Sequence, residues 1–453
     1  MKEKELLKKI DSENFKELFS ELYGQQEIES AKQRYRELII KMPKDNMGGS
    51  PEIEGLRVFS APGRTELAGN HTDHNRGKVL AASIQLDNVA VVQKRKDHIV
   101  FFRSYGFPDV KVNLTDPTGA PDLLPKLEEE GTTEALIRGI AAELNRRGSA
   151  VGGFSANAAS TVLPGSGLSS SAAVEVLIGR IFDSLYGEGK RSSLEIAQIG
   201  QLAENVYFGK PCGLMDQIAC ASGGAVAIDF SDAAQPEVQQ INFDHLSAAG
   251  YALCVVNTGG SHADLTADYA SIPAEMKKVA AFFGKSVLRE LDKDTVLTNT
   301  AEIRKTFGDR ALLRTLHFFD ENERVTAMTA ALAEMENAVA SATKQKALFA
   351  YFDLANESGD SSWKLLQNVY SSSRPETQAV SVALALTKDF LHKQKLFGAC
   401  RVHGGGFAGT IQVFIPLDAM AAYRKKIEQV FGAGSVTLLS IRSKGAVELT
   451  LFN

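Results

Sequence analysis

Apolar residues at the start of the chain recur at spacings of three and four: Leu6, Leu7 and Ile10, then Phe15, Leu18, Phe19 and Leu22. That period is helical, so residues 1 to about 45 are predicted as helix. Asn46-Met-Gly-Gly-Ser-Pro51 breaks the pattern as a loop. β-Branched and aromatic residues then predict short strands over 56–59 and 89–93. Ala172, Ala173, Val176, Leu177 and Ile181 share one face of a helix predicted over 171–185, and a second helix is expected over 194–206. Tyr251-Ala-Leu-Cys-Val-Val-Asn257 reads as a buried strand opening a second unit. Residues 272–345 read as charged amphipathic helix, 410–415 as an alternating strand and 423–430 as a late helix. No repeat of fixed period interrupts this order.

Composition narrows the class. The chain has 453 residues, with 50 Lys+Arg against 55 Asp+Glu, a net charge of −5. Such a balance offers no electrostatic footprint for nucleic acid or an acidic membrane surface. No apolar run approaches the ~18 residues of a membrane span. The N-terminus mixes both charges and has no signal-peptide core. Cys212, Cys220, Cys254 and Cys400 are scattered without a C-x-x-C, so neither a disulfide framework nor a zinc knuckle is signalled. A cytoplasmic protein is expected. The change of character near Gly250 suggests a helical extension over 1–50, a first lobe over 51–245 and a second over 246–453.

Glycines crowd into three places, and each suggests chemistry. Leu163-Pro-Gly-Ser-Gly-Leu-Ser-Ser-Ser-Ala-Ala173 leads a flexible turn into the helix at 171. The first turn of that helix offers free backbone N–H groups and a positive dipole end, and three serines add hydroxyls. This suits a polyphosphate. A single capping serine is the plainer alternative. The loop is not a Walker A motif, because Val279 stands where the first glycine before Gly284-Lys285-Ser286 should be. Gly404-Gly-Gly-Phe-Ala-Gly409 satisfies G-x-G-x-x-G, but a strand follows instead of a helix, so it is either a tight turn or a backbone-lined ligand loop. In the third cluster, Glu204 and Asp216 lie twelve residues apart across the 209–213 turn. They serve either one metal ion and one hydroxyl, or a structural cap. Finally, Ser60-Ala-Pro-Gly-Arg-Thr-Glu-Leu-Ala-Gly-Asn-His-Thr-Asp-His-Asn75 packs charged, amide and imidazole groups into one turn. His71, Asp73 and His74 lack a further convergent zinc ligand, and a pocket for a hydroxyl-rich ligand fits better.

Taken in order, these four segments resemble the GHMP kinase superfamily, and its galactokinase branch most closely. The family pattern runs A-P-G-R-x-N-L-I-G-E-H-T-D-Y-N, then P-x-G-x-G-L-S-S-S-A, C-G-x-M-D-Q and G-G-G-F-G-G. Asp309-Arg-Ala-Leu-Leu-Arg-Thr-Leu-His317 and Glu321-Asn-Glu-Arg324 are similar to a further helical stretch of it. The resemblance implies an α+β, two-lobed GHMP kinase fold with the active site in the interlobe cleft. It implies a phosphotransferase with an alcohol acceptor, an ATP-dependent sugar-1-kinase; a monomer acting on a small-molecule sugar is expected. Gly165, Gly167, Leu168, Ser169, Ser170 and Ser171 would cradle ATP phosphates, with Ser170 and Glu204 holding Mg²⁺. Asp216 would meet the sugar O1 hydroxyl and Arg64 would neutralise charge there. Asn70, His71, Asp73, Gly213 and Tyr269 would complete the sugar site.

Asn70 stands where the family has Glu, a residue that meets the sugar near C6, and Glu66 where it has Asn. A neutral amide at that place would also accept a C6 carboxylate, so a galacturonate or other galactose-derivative 1-kinase is an alternative. A non-catalytic sugar and ATP sensor is another. The acidic segment expected near Ser361-Ser-Trp-Lys-Leu-Leu-Gln367 is not evident.

Overall fold

The computed structural model describes residues 1–42, 55–162, 167–260 and 265–452. The helix expected at the N-terminus is three helices, α1 (Glu3–Ile10), α2 (Glu13–Tyr23) and α3 (Ile28–Ile40). Local chemistry sets the breaks: the Ser12 hydroxyl accepts from the Phe15 amide to cap α2, and Gly24, at φ 86°, ends it. The loop expected over 46–51 lies outside the described residues.

A first sheet follows, built from β1 (Arg57–Ala68), β2 (Lys78–Lys94), β3 (Ile99–Ser104) and β4 (Val110–Asn113). After α4 (Thr133–Arg146) come β5 (Phe154–Ser160), α5 (Ser170–Tyr186), α6 (Ser193–Leu202), α7 (Met215–Ser222), β6 (Ala225–Asp229) and β7 (Glu237–Ile241). β2 pairs with β1 along one side, and with β5 and β6 along the two halves of the other. The strands expected over 56–59 and 89–93 are fragments of β1 and β2, which run 12 and 17 residues. The period-two signal fails because β2 is buried on both faces. Val89 and Val91 pack with α1–α3, while Ala90 and Val92 pack with the helices beneath. The N-terminal extension is thus the cover of the sheet's second face. It is tied there by Asp87 of β2, which accepts from Tyr23 (2.6 Å) and pairs with Arg34 (2.7 Å).

α5 buries the predicted face: Ala172, Ala173, Val176, Leu177 and Ile181 are all inside. Each of the larger three contributes roughly 1.5–3 kcal/mol by leaving water. The helix expected over 194–206 divides instead, with α6 ending at Leu202 and a π-helical turn over Ala203–Tyr207.

The second part holds α8 (Asp244–Ala248), β8 (Tyr251–Asn257), α9 (Thr266–Phe282), α10 (Lys293–Thr298), α11 (Thr300–Phe307), α12 (Asp309–Asn337) and α13 (Ser341–Ser361). It continues with α14 (Ala379–Lys393), β9 (Ala399–His403), β10 (Thr410–Pro416), α15 (Met420–Phe431) and β11 (Val436–Leu439). Its strands form an antiparallel sheet in the order β11-β8-β10-β9. The short β12 (Val447–Glu448) then returns to pair with β1 in the first sheet. Leu67 and Leu80 of the first sheet share one apolar cluster with Tyr351 and Phe414 of the second part. The architecture is α+β, as expected. Among the described residues no helix is long and apolar enough to cross a membrane.

Candidate active site

The pairing of β1 with β2 slips between Pro62 and Arg64 and again between Glu66 and Ala68. Such irregularities re-aim side chains, and here they flank Arg64 and Glu66, two of the strand's three charged residues. Arg64 is buried and forks onto Asp216 in the first turn of α7, Nε to Oδ1 and Nη2 to Oδ2, both at 2.8 Å. Its third nitrogen donates to the Gly167 carbonyl (2.5 Å). Ser169 donates its hydroxyl to Asp216 Oδ2. Burial pushes the Asp216 carboxyl up, but the charge and hydrogen bonds of Arg64 outweigh it and hold the group below its ordinary value. Asp216 is therefore ionised at neutral pH.

Ser169 sits at φ 58°, a left-handed conformation unusual for a serine, immediately before α5. Its hydroxyl is spent on Asp216 and does not cap the helix. Ser170 and Ser171 occupy the first turn of α5, where backbone N–H groups remain free for an anion. Leu168 is buried beside them. Gly165 lies outside the described residues.

Gln217, the next residue of α7, reaches the other way. Its amide donates to Glu204 Oε2 (3.0 Å) and to Glu175 Oε2 (2.9 Å). Ser169 and Glu204 thus converge on neighbouring residues of one helical turn. Burial, reinforced by the Glu204 charge, pushes the Glu175 carboxyl well above its ordinary range. Lys210 reaches in from the surface, its Nζ 3.2 Å from Glu204 Oε1. Among the described residues no group of three His, Cys, Asp or Glu side chains could hold a metal ion. His71, Asp73 and His74 form no such set.

Of the remaining predicted residues, His71 and Tyr269 meet the 404–409 loop, and Asp73 meets Gly213. A Cβ on Gly213 would lie 1.7 Å from Asp73 Oδ2, so the Asp73 carboxylate rests on the bare Gly213 backbone. His71, at φ 60°, donates from Nε2 to the Gly405 carbonyl (2.9 Å). Enclosure pushes its imidazole down to about 3. Tyr269 donates to the Gly406 carbonyl (3.0 Å), and a Cβ on Gly405 would meet its ring at 2.5 Å. The 404–409 loop is more than a turn between strands: His71 and Tyr269 clasp it.

Asn70 differs from expectation. Its side chain is fully buried and its amide is filled by protein. It donates to Glu66 Oε1 (3.0 Å) and the Gly404 carbonyl (2.6 Å), and accepts from Asn368 (2.7 Å). Glu66 in turn pairs with buried Arg401 (2.6 Å). His317 donates to the Asn70 carbonyl (2.9 Å), and Glu321 accepts from the Gly69 amide (3.0 Å). Asn70 is a strut joining β1 to the 404–409 loop. His317 and Glu321 fall in a stretch the sequence singled out, whereas nothing local marks Arg401, Asn368, Glu175 or Lys210.

Comparison with known proteins gives consistent results. Residues 45–94 match the family described as "Galactokinase galactose-binding signature", and residues 135–224 match "GHMP kinases N terminal domain". A galactokinase of Streptomyces coelicolor is 32% identical over 414 residues, 89% of this chain and 93% of the relative. One from Glaesserella parasuis is 30% identical, over 82% of this chain and 88% of its own. Among solved structures, Lactococcus lactis galactokinase complexed with galactose superposes with a TM-score of 0.72 at 24% identity, covering 93% of this chain and all of that one. The mevalonate kinase of L. major, in complex with R-mevalonate, gives 0.55 at 14% identity, over 87% of this chain and 98% of its own.

Proposed function

We propose, since the chain belongs to the galactokinase family of GHMP kinases, that it transfers the terminal phosphoryl group of ATP to the O1 hydroxyl of galactose. One observation carries this reading: the α7 segment joins the two halves of such a reaction. Asp216 meets Arg64 and Ser169 at the phosphate end, and three residues earlier Gly213 carries Asp73 of the polar turn. His71 and Tyr269 extend that turn over the 404–409 loop.

The chemistry follows from charge and position. Phosphoryl transfer needs its partners aligned and the developing charge neutralised more than it needs covalent help. The free N–H groups at the start of α5 and the Ser170 and Ser171 hydroxyls bind phosphate oxygens. Asp216, held ionised by Arg64, accepts a hydrogen bond from O1–H. A carboxylate of depressed pKa is a weak base, so it takes the proton late, when the forming O–P bond has made the hydroxyl acidic. Arg64, freed in part as that charge is lost, stabilises the transferring group. Asp73 and the His71–Gly405 contact orient the sugar ring.

Ser170 and Glu204 offer hard oxygen donors that fit Mg²⁺. With no three-residue cage among the described residues, its other positions fall to phosphate oxygens and water, as is usual for this ion. Bound there it would neutralise phosphate charge. Four unpaired cysteines support a reducing, cytoplasmic setting.

The galacturonate reading depended on Asn70 facing C6. With its amide committed to Glu66, Gly404 and Asn368, no observation favours it. The test is ADP release with Mg-ATP against galactose, galacturonate, N-acetylgalactosamine, glucose and arabinose. Strong turnover on galactose is expected. Turnover on galacturonate alone would overturn the substrate assignment, and silence on every sugar would overturn the enzyme.

A further inference from the structure

Among the described residues of the site, Lys210 is the cation whose head group is most lightly held. Arg64 is fixed by two bonds to Asp216 and one to Gly167. Lys210 has its backbone pinned and its side chain largely in solvent. Its amide donates to the Glu204 carbonyl (3.1 Å), Pro211 follows, and the Cys212 amide is held by Asn205 Oδ1 (2.7 Å). The side chain beyond that anchor is 63% exposed, and among the described residues its ammonium contacts Glu204 Oε1 at 3.2 Å. That contact is to a carboxylate only 4% exposed, which also accepts from Gln217, the neighbour of Asp216 on α7.

The charges explain what such a lysine does. Arg64 and Lys210 balance Asp216 and Glu204, leaving the site near neutral before the nucleotide arrives. A triphosphate brings several negative charges, and a divalent cation takes a carboxylate in preference to a monovalent ammonium. Glu204 cannot satisfy both. The flexible stem of a lysine lets its charge relocate where an arginine fork would stay in register with its carboxylate.

We propose that Lys210 is a phosphate-positioning residue, parked on Glu204 until metal and nucleotide bind and then transferred to the phosphate oxygens. This rests on the kinase reading above. It gives the side chain two opposed effects: it competes with a metal for Glu204 when no nucleotide is present, and it assists nucleotide binding once the metal is in place.

The experiment measures both effects on the full chain without turnover. Calorimetry gives the Kd of a non-hydrolysable ATP analogue with Mg²⁺, and water-proton relaxation gives the Kd of Mn²⁺ alone. Lys210→Met is expected to weaken the Mg-analogue about tenfold, the scale of one charge-assisted contact. The same variant should bind Mn²⁺ several-fold more tightly than the parent. Lys210→Arg should keep the analogue within about threefold of the parent while binding Mn²⁺ no more tightly. Opposite movements in Lys210→Met support the proposal, because a structural lesion would weaken both. Unchanged values, or parallel weakening, overturn it. If the parent binds no Mg-analogue at all, the kinase reading itself fails, and that outcome is distinct from parent binding that Lys210→Met leaves intact.

Discussion

Asn70→Glu separates a strut from a sugar contact. The Asn70 amide nitrogen stands 3.0 Å from Glu66 Oε1 and 3.3 Å from Oε2, so a glutamate would set one carboxylate against another inside the protein. Two unit charges ~3 Å apart repel by about 5 kcal/mol at an effective dielectric near 20. The Gly404 carbonyl, 2.6 Å from the same nitrogen, would lose its donor, a further loss of roughly 1–3 kcal/mol. Burial already pushes the Glu66 carboxyl up despite Arg401, so the pair would relieve part of the strain by sharing a proton. A net destabilisation of at least about 3 kcal/mol at pH 7.5 is expected, with a smaller loss at pH 5.5. Urea unfolding midpoints at the two pH values measure it. Adding Glu66→Gln should recover the repulsive part, which a double-mutant cycle isolates. The reasoning is refuted if Asn70→Glu is as stable as the parent at pH 7.5 and uses galactose better.

Other consequences are equally direct. Gly213→Ala drives a methyl into the Asp73 carboxylate; the sugar KM should rise tenfold or more, with circular dichroism unchanged, because small misplacements cost large factors. An unaltered KM would detach Asp73 from the sugar. His71 takes its proton only near 3 when folded, against 6.5 when free. Between those values the unfolded chain binds the extra proton, so this residue's contribution is complete above 6.5 and lost as pH falls. Unfolding of His71→Asn should therefore be less pH-dependent than the parent between pH 6 and 4, by about 1.4 kcal/mol per unit for one proton, and equal slopes would refute it. Deleting residues 1–42 uncovers Val58, Val89, Val91 and Leu449, about 2 kcal/mol each, and strips Tyr23 and Arg34 from Asp87. That loss is comparable to the whole stability of a domain, so no soluble enzyme should be recovered; an active truncated protein would contradict the cover role.

The local signals in the chain were those confined to one element. The face of α5 and the strand at 251–257 stood out because a single periodicity or apolar run expressed each. The lengths of β1 and β2 were hidden because the extension buries the face that would otherwise carry polar residues. The π turn at Ala203–Tyr207 leaves no pattern of its own, since its residues remain helical in composition. In the site, motifs in sequence order brought Arg64, Asp216 and Gly213 to attention. The partnership that redefines Asn70 was invisible, because Asn368 lies 298 residues away and Gly404 lies 334 away. Lys210 was hidden differently: a lysine in an exposed turn looks like a solvated charge until the buried Glu204 beneath it is seen.

The central claim is that Asp216, set by Arg64 at the head of α7, is where the sugar hydroxyl loses its proton. Asp216→Asn preserves shape and removes the negative charge, so turnover on galactose should fall at least about a hundredfold. Galactose and the Mg-ATP analogue should still bind within about threefold of the parent, measured by calorimetry on the same preparation. Turnover near the parent value, with both ligands bound, would contradict the account.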